Sequence, residues 1–431
     1  MRVIVVPVGS SGDVHPLLGF SLKLRERGHE IVFITNGHFE PLARQAGFIF
    51  QQLGSAEEYR QAINDPDIWH PTRGTKKVLQ WSMVGLMRPS YEAIKKYYKP
   101  GETLVLSAAI SLGARLAQEA LGVPMVTTQL QPMALFSREK PPLFPGVPPW
   151  APNWFARFMY WVGDHAVINP IILPPLNQFR RELGLEPVKG RIFSEYINSP
   201  QLVLGLFPDW FCDRPSDWPA QLRLPGFPLY DEKGLTRTDP ELESFLNAGG
   251  PPVVFTPGSA MLQGKPFFAA AAEACALIGR RGLLLSRFAE NIPATLPPGV
   301  KHFAYAPFSE VLPRCAALVH HGGIGTMAQG LAAGIPQLIM PMAHDQPDNA
   351  ARIKRLSVGL SIKRRQFTGP NVAELLKRLL DDPKVTGHAK LLAKKFEDAR
   401  PIDEACDYIE QLGRKTGVLK SNANVPAQPR A

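Results

Sequence analysis

Two histidines followed by a glycine-rich turn are the residues of this chain best suited to chemistry. The run His320-His-Gly-Gly-Ile-Gly-Thr326 follows a short apolar segment predicted to be a strand, and a helix is predicted from Thr326 to Ala333. Glycine lets backbone N–H groups approach an anion closely, and a helix N-terminus adds the positive end of its dipole. The run therefore predicts a phosphate site, whereas His320 itself is expected to be a structural residue at the strand end. The predicted phosphate donors are His321, Thr326 and the amides of Gly322, Gly323 and Gly325.

A polar pair, Asp345 and Gln346, follows the predicted helix. Their side chains suit the hydroxyl groups of a sugar. A phosphate site beside a hydroxyl-binding site indicates a nucleotide sugar as the ligand.

The segment Tyr305–Asn349 resembles the donor-binding signature of nucleotide-sugar-dependent glycosyltransferases of family one, which have the GT-B fold. The sequence of this segment is most similar to the bacterial branch that acts on lipids and sterols, which includes rhamnosyltransferases and sterol glucosyltransferases. The opening Gly9-Ser-Ser-Gly-Asp-Val-His-Pro16 is similar to the N-terminal motif of that branch. The resemblance implies an α/β protein, in which two doubly wound Rossmann-like domains face each other across a cleft.

The same resemblance assigns further residues to the donor. Tyr305 matches a position where relatives stack an aromatic ring on the pyrimidine base. Phe308 stands where relatives often carry glutamine, and Gln329 stands where many use glutamate for the ribose hydroxyls. Gly12 and Ser259 are assigned to the diphosphate.

Asp13 is the predicted general base. It follows the first strand, at the carboxyl edge where open α/β sheets bind their ligands. Many family members place a histidine there, paired with an aspartate after a later strand, but the corresponding region 106–111 has no carboxylate. His15 is the competing base. Alternatively, Asp13 only caps the helix predicted over Pro16–Arg27.

Aromatic and methionine side chains in the N-terminal half are predicted to form an apolar wall for the acceptor, which the family binds in that half. Such side chains adapt to irregular apolar ligands. The alternative is a small satellite core beneath a long loop. The candidate wall residues are Trp81, Met87, Trp150, Trp154 and Phe158.

Composition agrees with a two-domain enzyme. The chain has 431 residues, is 45% hydrophobic and carries a net charge of +10. It has no run of about 18 apolar residues that could span a membrane, and its first residues enter a predicted strand without the features of a signal peptide. We expect a cytoplasmic protein with reduced, mostly buried cysteines.

The basic residues are dispersed and form no nucleic-acid motif, so no nucleic-acid partner is expected. A basic surface is compatible with peripheral contact with the inner face of an anionic membrane. No dedicated metal cluster is visible. Helix amides and a histidine can replace a metal at a diphosphate, and we expect no cofactor besides the sugar nucleotide.

Strand and helix patterns alternate through both halves, which predicts parallel sheets. The predicted organisation is an acceptor-binding domain over 1–225, a linker over 226–238 and a donor-binding domain over 239–400. A helix over 401–415 is expected to return to the N-terminal domain, and residues 416–431 are expected to be disordered.

The sequence therefore predicts an inverting glycosyltransferase. It would move a hexose or deoxyhexose from a UDP- or dTDP-sugar to a hydroxyl of a lipid, sterol-like or polyketide-like acceptor. Two alternatives remain open, a nucleotide-sugar epimerase of similar fold and a non-catalytic nucleotide-sugar-binding partner protein.

Overall fold

A computed structural model describes residues 1–70, 73–143, 147, 151–231, 239–258 and 264–420. Within these ranges the chain forms two parallel sheets, one in each half, with helices packed around them. The strands are almost wholly buried, as expected when helices cover both faces of a sheet.

The N-terminal sheet has the strand order β3-β2-β1-β4-β5-β6-β7, and β1 pairs in parallel with both β2 and β4. Its strands are β1 (Arg2–Val6), β2 (Glu30–Thr35), β3 (Ile49–Gln52), β4 (Thr103–Ala108), β5 (Met125–Gln129), β6 (Leu202–Gly205) and β7 (Leu222–Arg223). The helices of this half are α1 (Ser11–Glu26), α2 (Glu40–Gln45), α3 (Ala56–Asn64), α4 (Arg73–Val78), α5 (Met87–Tyr97), α6 (Leu112–Leu121), α7 (Asn153–Gly163) and α8 (Asn169–Glu182).

The C-terminal sheet has the order β10-β9-β8-β11-β12-β13. Its strands are β8 (Val253–Thr256), β9 (Gly282–Leu285), β10 (Val300–Phe303), β11 (Ala317–His320), β12 (Gln337–Ile339) and β13 (Gly359–Ser361). The remaining helices are α9 (Pro240–Asn247), α10 (Lys265–Ile278), α11 (Phe308–Val311), α12 (Ile324–Ala332), α13 (Gln346–Arg355), α14 (Gly369–Asp381), α15 (Pro383–Glu397) and α16 (Pro401–Lys415).

The strand order of each sheet reverses once, at β1/β4 in the first half and at β8/β11 in the second. Loops that leave neighbouring strands at such a point diverge and open a crevice for a ligand. The loops after β1, β8 and β11 carry the motifs found in the sequence, so the topology brings the two distant motifs to comparable positions in their sheets.

Helix α16 lies against the N-terminal half. Ala405 and Ile409 are buried in the same hydrophobic cluster as β1 and α1, and Arg27 of the first half pairs with Asp403 and Asp407. Val418, in the segment expected to be disordered, is also buried in this cluster. The ordered chain therefore extends past the predicted boundary at residue 416.

The sequence placed the start of α1 too late. The helix predicted over Pro16–Arg27 has Pro16 as its first residue. The helix instead begins at Ser11 and includes Pro16 in its interior. Consequently Asp13 and His15 lie in the first turns of the helix and not on a loop.

Candidate functional site

A cavity of about 210 Å³ lies between the two halves, at the ends of β1 and β8 and the start of α12. The N-terminal half and the segment 227–231 form one wall, and loops of the C-terminal half form the other. Seven predicted site residues, drawn from the catalytic, diphosphate and nucleoside groups, line this one cavity: Gly12, His15, Tyr305, Phe308, Gly325, Thr326 and Gln329.

The turn before α12 forms the predicted phosphate cradle. Gly323 is the N-cap, so the amides of Ile324, Gly325 and Thr326 belong to the first helical turn, where the helix itself offers no acceptor. His320 shapes the turn. Its Nδ1 accepts from the Gly322 amide at 3.1 Å.

The second ring nitrogen of His320 carries the proton of the neutral ring. Nε2 donates to Oε1 of Gln337 at 2.9 Å, while burial lowers the pKa of His320 to about 3. The imidazole is therefore neutral at physiological pH, and His320 is structural, as expected from its place at the strand end.

His321 lies between two glycines. A Cβ atom built on Gly258 would approach its ring to 2.7 Å, and one on Gly323 would approach it to 2.5 Å. Burial lowers the pKa of His321 to about 4, so the imidazole is neutral without ligand. Among the described residues, its buried Nδ1 has no hydrogen-bond partner. At neutral pH His321 would therefore meet a diphosphate as a neutral group and not as a cation.

The two predicted sugar ligands, Asp345 and Gln346, have different surroundings. Burial raises the pKa of Asp345 to about 7, and the negative charge of Asp13 contributes to the rise. Asn349 holds Asp345 at 2.6 Å and also donates to the Gly322 carbonyl at 2.9 Å. The sugar loop is thereby tied to the phosphate turn.

Gln346 is largely occupied by its own loop. Its Oε1 accepts from the amides of Met342 at 2.8 Å and Ala343 at 3.1 Å, and the residue is buried. The side-chain oxygen is therefore structural, which leaves the amide nitrogen as the group suited to a sugar hydroxyl.

Asp13 does cap α1, as one interpretation of the sequence held. Its Oδ2 accepts from the amide of Ser10 at 2.7 Å and from the Ser10 hydroxyl at 3.0 Å. Burial nevertheless raises the pKa of Asp13 to about 6, against the effect of these bonds. Such a pKa lies close to neutral pH, as a general base requires.

The two candidate bases face different surroundings. His15 lines the described cavity, and its ring lies 6.1 Å from that of Tyr230. Asp13 interacts electrostatically with Asp345, the predicted sugar ligand. Asp13 is not among the residues that line the cavity, so for Asp13 to act as the base the sugar must extend beyond the cavity towards Asp345.

The nucleoside side of the cavity contains residues that sequence reasoning missed. The Tyr305 hydroxyl donates to the carbonyl of Asp231, and the Asp231 carboxylate accepts from the Ser309 amide at 2.7 Å. The guanidinium carbon of Arg287 lies 5.2 Å from the Tyr305 ring centre. Arg287 lies two residues after the end of β9, and this position at the carboxyl end of a strand is the signal that could have identified it.

The predicted acceptor wall is not one surface in the structure. Met87 is 5% exposed and belongs to the core of the N-terminal half, because its helix packs that face on the sheet. Trp154 and Phe158 of α7 are 67% and 52% exposed, and neither lines the described cavity. Trp81 is half-buried in the π-helical segment Leu79–Gly85, between α4 and α5.

Two predicted site residues, Trp150 and Ser259, lie outside the described residues. Within the described ranges, acidic, histidine and cysteine side chains nowhere gather in the threes that a metal ion would need. In the same ranges, none of the helices combines the length and apolar character needed to cross a membrane.

Comparison with known proteins identifies both halves. Residues 3–135 match the glycosyltransferase family 28 N-terminal domain, and residues 285–410 match the C-terminal domain of erythromycin biosynthesis protein CIII-like proteins. Together the two matches cover more than half of the chain.

Three relatives match this chain along nearly its whole length. An O-mycaminosyltylonolide 6-deoxyallosyltransferase of Streptomyces fradiae is 29% identical, and the match covers 95% of this chain and 97% of the relative. An uncharacterized protein of Mycobacterium bovis is 33% identical over 96% of this chain and 97% of its own. A sterol 3-beta-glucosyltransferase of Arabidopsis thaliana is 26% identical over 95% of this chain and 68% of its own.

Solved structures share the fold. The glycotransferase of kitacinnamycin superposes with a TM-score of 0.72 at 19% identity, covering 95% of this chain and 98% of its own. A spinosyn rhamnosyltransferase complexed with thymidine diphosphate superposes with a TM-score of 0.66 at 18% identity, covering 94% and 99%. The two sheets and the cleft between them are thus those of GT-B proteins.

Proposed function

The chain belongs to the GT-B glycosyltransferases of family one, of the type that includes antibiotic and sterol glycosyltransferases, and from this premise we propose the reaction it catalyses. It is an inverting enzyme that transfers a hexose or deoxyhexose from a UDP- or dTDP-sugar to a hydroxyl of a hydrophobic acceptor. The comparisons give no support to an epimerase, and a glycosyltransferase is an enzyme and not merely a binding partner.

One observation carries the proposal. Residues predicted for the nucleoside and the diphosphate line a single cavity between the two halves together with His15, the competing base, although they come from motifs some 300 residues apart in the sequence. A donor bound there would have its base at Tyr305 and its diphosphate at the first turn of α12. Its sugar would extend towards Asp345 and Asp13.

The chemistry follows from these side chains. Asp13 accepts the proton of the acceptor hydroxyl, and the acceptor oxygen attacks the anomeric carbon from the face opposite the diphosphate. The C–O bond to the diphosphate breaks, and the leaving group keeps the electron pair. Backbone amides of the α12 N-terminus stabilise its growing negative charge, together with the Thr326 hydroxyl and His321.

The donor is proposed to be bound without a metal. The cradle offers helix amides, a hydroxyl and an imidazole nitrogen, which together can neutralise a diphosphate in a partly dry site. If so, turnover persists in excess chelator. Loss of turnover on chelation, with recovery on adding Mg²⁺, would contradict this part of the proposal.

A donor panel tests the reaction itself. The full chain is incubated with UDP-glucose, dTDP-glucose or dTDP-rhamnose and a lipid extract, and the products are identified by mass spectrometry. The expected result is a glycoside whose anomeric configuration is inverted relative to the donor. A free epimerised sugar nucleotide, or a retained configuration, would contradict the proposed reaction.

The acceptor and location are proposed from α7. Trp154, Phe158 and Trp161 lie along one side of this helix and are all more than half exposed. Arg157 is an exposed cation on the same helix. Asp164, the first residue after the helix, is buried. An exposed aromatic face with a cation suits the interface of an anionic membrane, so we place the enzyme on the inner face of the cytoplasmic membrane, where lipid alcohols are available.

Vesicle sedimentation tests this location. The full chain is expected to bind vesicles containing phosphatidylglycerol and not those of phosphatidylcholine alone. Serine at Trp154, Phe158 and Trp161 should abolish binding, whereas serine at Leu391, which is 61% exposed on α15, should not. Equal binding by all three proteins would contradict a role for α7.

A further inference from the structure

The loop that carries the predicted sugar ligand contacts the other half of the molecule through His344. The Nε2 atom of His344 lies 3.0 Å from the backbone carbonyl oxygen of Ile68. Ile68 belongs to the turn between α3 and α4 of the N-terminal half, so this bond joins two residues separated by 276 positions.

The protonation state of His344 decides which atom of this bond is the donor. The His344 side chain is half-buried, and this burial lowers its pKa, although the bond to Ile68 opposes the shift. A neutral imidazole has one N–H group. Since a carbonyl oxygen only accepts, His344 carries its proton on Nε2 and donates it across the cleft.

The backbone at His344 is in a conformation that its residue type rarely adopts. Its φ is +57°, in the left-handed region that favours glycine or asparagine. Unusual backbone conformations persist where the surroundings hold them, and they concentrate at functional sites. Here the next residue is Asp345, whose carboxylate is the predicted sugar ligand.

The partner carbonyl is held firmly in its own half. Asp65 accepts from the Asp67 amide at 2.9 Å and pairs with Lys77, and Asp67 pairs with Arg73 at 2.8 Å. A Cβ atom at Gly74 would lie 2.2 Å from the Ile68 oxygen, so the glycine allows the close packing there. The turn thus presents a fixed acceptor to His344.

We propose that His344 is a positioning residue that sets the sugar loop against the N-terminal half and thereby aligns Asp345 with Asp13. A continuous path of contacts leads from Ile68 through His344 and Asp345 to Asn349, and from Asn349 to the phosphate turn at Gly322. The inference rests on the proposed function, because it assumes that Asp345 binds the sugar. It adds that correct placement of the sugar depends on contact between the halves.

Four variants separate the hydrogen bond from the backbone strain. His344→Ala removes the bond and keeps the strain, whereas His344→Gly removes both. His344→Asn tolerates the left-handed conformation and restores an N–H donor. Ser357→Gly is the matched control, because Ser357 also has a φ of +57° but lies in the turn after α13.

The first readout needs no activity. Amide hydrogen exchange is measured over residues 65–70 of the N-terminal half. His344→Ala and His344→Gly are expected to raise exchange there about tenfold, the upper scale for one lost neutral hydrogen bond. Ser357→Gly should leave it unchanged. Unchanged exchange in His344→Ala would overturn the proposed contact, whatever reaction the enzyme catalyses.

The second readout is kinetic. The alanine and glycine variants are expected to lose about tenfold in kcat/KM for the sugar donor, with the Kd for free nucleoside diphosphate unchanged and with partial recovery in His344→Asn. Full activity in His344→Gly would show that only strain matters and would overturn the positioning role. Raised exchange without any kinetic loss would overturn it too. Absence of transfer by the wild type with every donor would instead contradict the proposed function.

Discussion

The donor side of the cleft and the exposed face of α7 are built in opposite ways. On the donor side, polar groups are at least half-buried, and several are held by a neighbour, as Asp345 is held by Asn349 and Tyr305 by Asp231. On α7 the side chains of Trp154, Phe158 and Trp161 are exposed, and Ala156 is the buried residue of the helix. A preorganised polar site selects one ligand chemistry, whereas an open apolar face accepts many shapes. Under the proposed function, geometry fixes donor recognition, whereas apolar area sets acceptor recognition.

The largest effect is expected from removing the proposed base, Asp13, from the donor side of the cleft. Asp13→Asn is expected to lower turnover about 10²–10⁴-fold, the usual scale for general-base catalysis. The asparagine oxygen can still accept from Ser10, so the helix cap remains and donor affinity should change little. Steady-state kinetics and calorimetry with free nucleoside diphosphate measure the two quantities.

Two controls accompany this variant. In the wild type, kcat/KM should fall as the pH drops below about 6, because the pKa of Asp13 lies there and its protonated form cannot act as a base. His15→Ala should cost much less than Asp13→Asn. A larger loss in His15→Ala would make His15 the base.

The same substitution should stabilise the fold, because the functional carboxylate is held in unfavourable surroundings. The pKa of Asp13 rises from 3.8 to about 6 on folding. The stabilisation that follows from this shift is fully present below pH 3.8 and is lost as the pH rises through 6. Above pH 6, Asp13→Asn should therefore be more stable than the wild type by about 1–3 kcal/mol, with the lower part of this range favoured by partial solvent exposure.

Urea unfolding at pH 4 and pH 7.5 measures this difference. The gain should be present at pH 7.5 and nearly absent at pH 4. Asp217→Asn supplies a control of opposite sign, because its hydrogen bonds from Ser137 and Arg138 lower the pKa of Asp217 on folding despite the opposing effect of burial. An equal gain in Asp13→Asn at both pH values would exclude the ionisation of Asp13 as its cause.

How much of this site the sequence predicted depends on the range of the interactions. Local patterns predicted that strands and helices alternate in both halves, and the two parallel sheets with their helices confirm this. The phosphate turn was equally visible, because its glycines and histidines are adjacent in the chain. The contacts of Asp231 with Tyr305 and Ser309, and of His344 with Ile68, were not, since they join distant segments through backbone carbonyls or loop ends.

The acceptor residues were predicted less well for a different reason. An aromatic or methionine residue at helical spacing has the same pattern whether it faces a core, a pocket or solvent. In the structure Met87 is a core residue, whereas Trp154 is exposed at the surface. Only the packing of α5 and α7 on their neighbours distinguishes the three outcomes.

The expected contribution of His321 to diphosphate binding depends on its protonation state. Because its pKa is lowered to about 4, the imidazole binds as a neutral group at pH 7 unless the diphosphate brings a proton with it. His321→Ala should then weaken nucleoside diphosphate binding about two- to tenfold, as for a neutral hydrogen bond. A loss above about tenfold, with affinity in the wild type rising as the pH falls from 7 to 5, would show that the histidine is protonated on binding.

Calorimetry in two buffers of different ionisation enthalpy detects this proton directly. His321→Gln keeps a neutral donor and should restore part of the affinity. An unchanged Kd in a folded His321→Ala variant would remove His321 from the phosphate site and leave the helix amides as its donors.

The smallest expected effect tests whether α7 also meets the acceptor. If apolar area sets acceptor recognition, efficiency should rise along a series of hydroxylated acyl chains by about 0.8 kcal/mol, or roughly fourfold, for each methylene that becomes buried. The rise should end when the apolar surface is filled. Replacing Trp154 and Phe158 by serine should flatten the series for long chains and leave the shortest acceptor unaffected, because a short chain reaches only the preorganised part of the cleft. Serine at the exposed Leu277 of α10 provides the matched control. A response of the double variant equal to that of the wild type would assign α7 to the membrane surface alone, and better rates with a short polar acceptor would contradict recognition by apolar area.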